Sequence, residues 1–444
     1  MNRMGRFFLR QAFCILSLFS ISVMSAASWV QAADVSEVNA KLDSLQKEIA
    51  ELKANSIPKD NVVTGGNTRG SFKLPGTNTS ITIGGYVKAV VMWDSISAGG
   101  AYNPGDVALA TTLIPVGPNT GGHNRSQIHT SARQSRLTFA TYTPSEYGPV
   151  KTYFSGDFNG TSGTETATNS HGFRVREFYG SLGHLTIGQT WSNITSFTSI
   201  PEFFDRGGPA AILGGRQLIV KWDQKFNGGS FSISAENPDT FMLGSLPAGV
   251  VSPDDDKFPD VTGAVRFNVG RSTLEAAGLV RFLHIDNPLA VDSATGWAVI
   301  FNGNIPTFGK DEFKFQLYRG DGFGRYIGGL GEHGDAMLIN GKIQTITRTG
   351  ATVAYRHYWT PKLRSNLILS GVKTTNPSIL LTASPPVSET SLANRNSTLV
   401  CNLIWSPVPN VKFGPEYGYG ERRIQNGKSG HLHHVGFYAQ YNFF

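Results

Sequence analysis

From about residue 80 to the C-terminus the chain alternates between apolar and polar residues, in short lengths separated by turns. In 216–226, Leu218, Val220, Trp222 and Phe226 fall on one side of an extended strand, and Ile219, Lys221, Asp223 and Lys225 on the other. In 311–319, Phe313, Phe315 and Leu317 oppose Lys314 and Gln316; in 431–444, Val435, Phe437, Ala439, Tyr441 and Phe443 oppose His434, Tyr438, Gln440 and Asn442. A period of two marks a strand with two unlike faces. The pattern recurs over 80–94, 130–143, 149–158, 172–180, 184–191, 216–226, 230–237, 259–268, 272–285, 294–302, 311–319, 344–359, 363–373, 394–406, 410–420 and 431–444.

The links between these segments alternate too. Long links follow the odd segments: 95–129, 159–171, 192–215, 238–258, 286–293, 320–343, 374–393 and 421–430. The links after even segments are shorter, as in Pro144–Gly148, Ser181–Gly183, Asn227–Gly229, Val269–Arg271, Thr360–Lys362 and Pro407–Pro409. An even strand number with long loops on one side and short turns on the other is the pattern of a membrane barrel. Only 16% of residues are charged, against about a quarter in soluble domains. The apolar face must then meet lipid, because a charge at the bilayer midplane of such a barrel costs about 2–4 kcal/mol. The polar face lines a lumen, which sixteen strands make wide enough for water. The expected fold is all-β: a 16-stranded antiparallel transmembrane β-barrel over 80–444. Trp93, Tyr179, Trp191, Trp222, Trp359 and Trp405 lie near strand ends, where an aromatic girdle belongs.

The first 79 residues divide into three. Residues 1–32 read as an export signal: Arg3, Arg6 and Arg10 precede the apolar Ala12–Met24, and Val30-Gln31-Ala32 offers a cleavage site. Its removal lowers the formal charge of +7 by three, since it holds no acid. It also removes Cys14 and leaves Cys401, so no intramolecular disulfide is expected. In 33–55, Val35, Leu42 and Ile49 occupy a positions and Val38, Leu45 and Leu52 d positions of a heptad seam. So short a helix needs partners, which predicts a segment that joins several copies. Residues 56–79, with Pro58 and Gly65-Gly66, read as a linker.

The polar phase of the strands supplies the candidate pore-lining residues. The basic ones are Lys88, Arg136, Lys151, Arg174, Arg176, Lys221, Lys225, Arg266, Arg281, Lys314, Arg348, Arg356, Arg364 and Lys412; the acidic ones are Asp157, Asp223, Glu275 and Glu416. A basic wall inside low-dielectric material concentrates anions, and Arg can grip a carboxylate with two hydrogen bonds. Small anionic solutes, carboxylates among them, are the expected cargo. The link 192–215 carries Glu202, Phe203, Phe204, Asp205 and Arg206 before a Gly207-Gly208-Pro209 turn, and is the candidate constriction. Without a basic cluster or zinc-finger spacing, nucleic acid is not an expected partner.

Several segments resemble the DcaP-like trimeric porins: Phe72-Lys73-Leu74-Pro75-Gly76-Thr77, Ile81-Thr82-Ile83-Gly84-Gly85-Tyr86-Val87-Lys88, Ala132-Arg133-Gln134-Ser135-Arg136-Leu137, Gly188-Gln189-Thr190-Trp191 and Arg356-His357-Tyr358-Trp359-Thr360. The resemblance implies a homotrimer in the lipid of a Gram-negative outer membrane, a periplasmic coiled coil, and passive uptake of small anions, dicarboxylates included. It also brings Arg133, with Arg136, Arg174 and Arg176, to the front of the lumen candidates, while resemblance to sixteen-stranded porins in general implies that the link 192–215 folds inward and sets acids against basic wall residues. The terminal Tyr441-Asn442-Phe443-Phe444 resembles the signal read by the barrel-insertion machinery. Two other readings stay open: a weakly selective general porin, and a structural anchor or adhesin with a closed lumen. No Ser-centred catalytic motif stands out, so no enzyme is expected. The cluster His431, His433 and His434 lacks a nearby carboxylate or Cys, so neither a metal nor a cofactor is expected.

Overall fold

The computed structural model describes residues 35–55, 62–96, 109–117, 126–160, 168, 170–205, 207–242, 256–287, 290–328, 333–379 and 392–443. The export signal, Arg206 and Phe444 lie outside the described residues. The chain divides into an N-terminal unit and a barrel unit.

Among the described residues, the N-terminal unit contains one helix, α1 (Val35–Asn55), with Glu37 in its first turn and Lys53 in its last, both suited to the helix dipole. Val38, Leu42, Leu45, Ile49 and Leu52 stand half-exposed along one stripe of the single chain. These are five of the six positions that the heptad spacing assigns to a seam.

The barrel unit has sixteen long strands: β1 (Ser80–Asp94), β2 (in two pieces, Gln127–Ser131 and Arg136–Thr143), β3 (Val150–Gly160), β4 (Gly172–Leu182), β5 (Leu185–Trp191), β6 (Arg216–Phe226), β7 (Gly229–Glu236), β8 (Asp260–Val269), β9 (Ser272–Asn287), β10 (Ala290–Pro306), β11 (Glu312–Asp321), β12 (Thr347–Thr360), β13 (Leu363–Thr375), β14 (Ala393–Trp405), β15 (Val411–Ile424) and β16 (Ser429–Asn442). Each pairs antiparallel with its sequence neighbours, and β16 closes on β1, from Tyr86↔Asn442 to Asp94↔His434. Closure leaves no sheet edge, the only way a sheet can satisfy its backbone groups in lipid.

The outward phase is apolar and exposed: Val87, Val91 and Trp93 on β1, Leu218, Val220 and Trp222 on β6, Val299 and Phe301 on β10, Val435 and Phe437 on β16. The intervening residues are buried against the interior. Trp222, Trp359 and Trp405 also point outward, but Tyr179 and Trp191 do not; they line an internal cavity instead. For Tyr179 the reason is local irregularity. Ser155 faces Glu177 while Gly156 faces Val175, so Arg176 is an extra residue in β4 and the phase shifts there.

Two expected loops are tight hairpins. β9 and β10 pair out to Asn287↔Ala290, and β15 and β16 out to Arg423↔Ser429. The extended β9–β10 ribbon carries Leu283, Ile285 and Ala290, which bury Ala336 and Ile343 of a small hairpin, Ala336–Ile339 with Lys342–Thr345, inside the link 322–346.

Candidate functional site: the inserted third loop and the arginine wall

The link 192–215 leaves β5, crosses the barrel interior and returns to β6, its base closed by the Ser192 amide on the Gly215 carbonyl at 2.8 Å. Its far end is bonded to the opposite wall. The amides of Phe204 and Asp205 both donate to the Glu416 carboxylate at 2.8 Å. The Ala210 amide donates to Thr398 Oγ1 and the Ala211 amide to Ser370 Oγ. Lys314 Nζ reaches the Ile200 carbonyl and Lys88 Nζ the Phe204 carbonyl. The Phe204 ring stacks on Tyr438 at 4.9 Å, with Lys88 beside both rings. A chain with this many exposed amides can lie inside a barrel only because the inward phase offers hydroxyls, amides and carboxylates to receive them.

Glu202 and Asp205, both expected at the constriction, take different parts. Glu202 receives Arg364 in a two-pronged pair at 2.7 and 2.8 Å, with Lys412 at 3.3 Å and Arg356 at 3.9 Å. Burial alone would raise this carboxyl; the Arg364 bonds, with Lys412 and Arg356, outweigh it and hold it down to about 2. Asp205 is fully buried and accepts the Leu109 amide at 2.9 Å. It thereby pins a stretch of the first long link, whose Leu109 and Ile114 pack on Ala354, Ile368, Val400 and Leu432 of the wall.

Across the interior, β2, β3 and β4 place Arg136, Asp157 and Arg174 in one register row. Arg174 grips Asp157 with two bonds, Nε–Oδ1 at 3.0 Å and Nη2–Oδ2 at 2.8 Å, and Arg176 Nη1 takes the same Oδ2 at 2.7 Å. Both Arg176 and Glu177 face inward because of the extra residue in β4, and Glu177 accepts from Thr190. Arg176 and Arg216 approach the Trp191 ring at 5.9 and 5.0 Å, and Arg136 approaches Tyr86 at 5.4 Å. Among the described residues, Arg136 Nε, Arg176 Nε and Arg216 Nη1 have no hydrogen-bond partner. Next to this wall lies a cavity of about 320 Å³ lined by Glu177, Trp191, Asn193, Phe197, Lys221, Asp223, Arg266 and Glu275.

The remaining pore-lining candidates divide by surroundings. Lys221 pairs with Asp223, Arg266 with Glu275, and Lys314 and Arg356 with Glu312. Arg133 sits between the two pieces of β2 and donates to His171. Lys151 is exposed near the Tyr142 ring. Arg281 and Arg348 correct the expectation: they face inward but are enclosed. Arg281 is 0% exposed and bound to Asp260 and Asp335, and Arg348 is held by the Gly334 carbonyl. The link after β11 folds over both, which strand phase alone could not reveal. Sequence reasoning missed Arg216, which shares strand parity with the lipid-facing Leu218, and the inward acids Glu236, Asp260 and Glu312. His431 and His433 donate to or accept from Tyr419 and Tyr417, and His434 pairs with Asp94. Among the described residues no group of His, Cys, Asp or Glu is placed to hold a metal ion.

The sequence model of a porin subfamily matches residues 66–432. The outer membrane channel DcaP of Acinetobacter baumannii superimposes with a TM-score of 0.68 at 21% identity, covering 82% of this chain and 97% of that one. An anion-selective porin from Comamonas acidovorans gives a TM-score of 0.52 at 10% identity, over 82% and 100%. A search of curated protein sequences gave no match.

Proposed function

The chain belongs to the porin subfamily and is an outer-membrane channel protein, and from that premise we propose that it passes small anions, dicarboxylates among them, as a homotrimer joined by α1 in the periplasm. The arginine wall carries the proposal. Among the described residues, Arg136, Arg174, Arg176 and Arg216 meet only two carboxylates in their immediate group, Asp157 and Glu177, and three of these guanidiniums keep an unpartnered nitrogen. The two-pronged bond of Arg174 to Asp157 is also the bond it would offer a solute carboxylate. A dicarboxylate could hand one end from Arg174 to the next guanidinium while the other stays hydrated. Exposure sets the order of contact: the Arg174 side chain is 28% exposed and Arg176 12%. The inserted loop supports the same reading, since its one accessible acid, Glu202, is already covered by three cations.

The test is the zero-current potential across a salt gradient in a planar bilayer. The wild type should be anion-selective and arrive in groups of three conductance steps, and succinate should block chloride current. In an Arg174→Gln, Arg176→Gln double variant, anion selectivity should fall several-fold with the conductance retained. Cation selectivity in the wild type would end the anion reading, and a silent, correctly inserted protein would favour the closed-lumen anchor.

A further inference from the structure

Outside the barrel, at the long-loop end, one register row runs across five strands: Arg319 on β11 faces Thr349 on β12, which faces Lys373 on β13, then Arg395 on β14, then Arg423 on β15. All five residues are exposed and alternate with inward neighbours such as Tyr318, Val372 and Asn396, so they point away from the lumen. None of the four cations forms an ion pair among the described residues. Asp321 and Glu421 share the outward phase two residues from Arg319 and Arg423, but neither pairs with the row; Asp321 accepts from Thr347 instead. At about 4.8 Å per strand the row is roughly 19 Å wide. It borders a surface groove of about 960 Å³ whose floor toward the bilayer includes Phe301 and Leu317.

Unpaired cations on a lipid-facing wall are costly at the midplane and favourable where anionic head groups begin. Four in a straight line, with apolar groove immediately below, match a ligand that is anionic at one end and a hydrocarbon chain at the other. We propose that this face binds a phosphorylated lipid of the outer leaflet. Its phosphates would lie along Arg319, Lys373, Arg395 and Arg423, and an acyl chain would lie over Phe301 and Leu317. The long-loop end is the external end of such barrels, which places the row at that leaflet. The site is separate from the channel, because no member of the row faces the interior.

The experiment uses full-length protein in detergent, with native mass spectrometry counting bound dioleoyl phosphatidic acid, dioleoyl phosphatidylcholine as the comparison, and inorganic phosphate as competitor. Phosphatidic acid should be retained roughly tenfold more strongly than phosphatidylcholine, and an R319Q/K373Q/R395Q/R423Q variant should lose that preference. Its single-channel conductance should match wild type, which also verifies folding; should the quadruple variant fail to insert, R395Q/R423Q should lose about half the preference on a logarithmic scale. Equal retention by wild type and variant would overturn the site. Full displacement by inorganic phosphate at equal concentration would overturn the lipid as its ligand. Loss of subunit association in the variant would assign the face to a second copy and overturn the proposal equally.

Discussion

Glu202 sits where three strands each send a cation, Arg356, Arg364 and Lys412, toward one loop carboxylate. Removing one side of a buried ion pair costs roughly 3 kcal/mol, because the remaining charges stay desolvated. Glu202→Gln should therefore loosen the tip of the third loop, and its channel noise and open conductance should both rise in single-channel records. A carboxyl held below its ordinary value of 4.5 anchors fully above that value and releases as pH falls through about 2. Conductance should accordingly show no loop transition between pH 7 and about pH 4, and an opening transition only toward pH 2. At this scale the sequence was readable for residue type and only partly for role. Arg174 and Arg176 were visible as inward bases. Their common partner Asp157 was visible as an inward acid, but the sharing was not, since it needs the extra residue in β4. Arg216 was not legible, because its parity is that of the lipid-facing residues and only its approach to Trp191 places it in the group.

The elements carry their own tests. β5 turns Trp191 inward beside Gly188, whose φ of +136° belongs to a region that residues with a Cβ rarely enter, and whose Cβ would press on Phe178 and Tyr179. Gly188→Ala should cost about 1–3 kcal/mol and lower the temperature at which the folded form is lost on a heat-modifiability gel. For α1, replacing Leu45 by Asp puts a charge in the seam. The proposed trimer should then separate at lower detergent or temperature in analytical ultracentrifugation, while each barrel stays folded and conducting. A trimer of unchanged stability would assign subunit contact to the barrel alone.

For the whole molecule, selectivity that comes from fixed charge must fall as salt screens it. The Debye length shrinks from about 10 Å at 0.1 M to about 3 Å at 1 M. The anion preference, read as the zero-current potential at a constant tenfold gradient, should decline as the mean salt concentration rises. A preference independent of salt would point to a size filter made by the inserted loops. The interior is balanced more closely than its strand phases suggest: Arg266, Arg281, Lys314 and Arg364 each have an acidic neighbour within 4 Å. The proposed anion preference would then rest on the few cations in excess of their partners, and small changes there should have large effects.

Strand number, strand order and the lipid-facing phase followed from the sequence alone. Each is a local periodicity, and lipid outside with water inside leaves a strand one choice of face. The tertiary structure decided what fills the interior. Where the third loop lies depends on Glu416, Ser370, Thr398 and Arg364, which stand 150 or more residues away in sequence and come within reach only once the barrel has closed. The row Arg319, Lys373, Arg395 and Arg423 likewise exists only through register: four separate residues become one surface because antiparallel pairing sets them side by side.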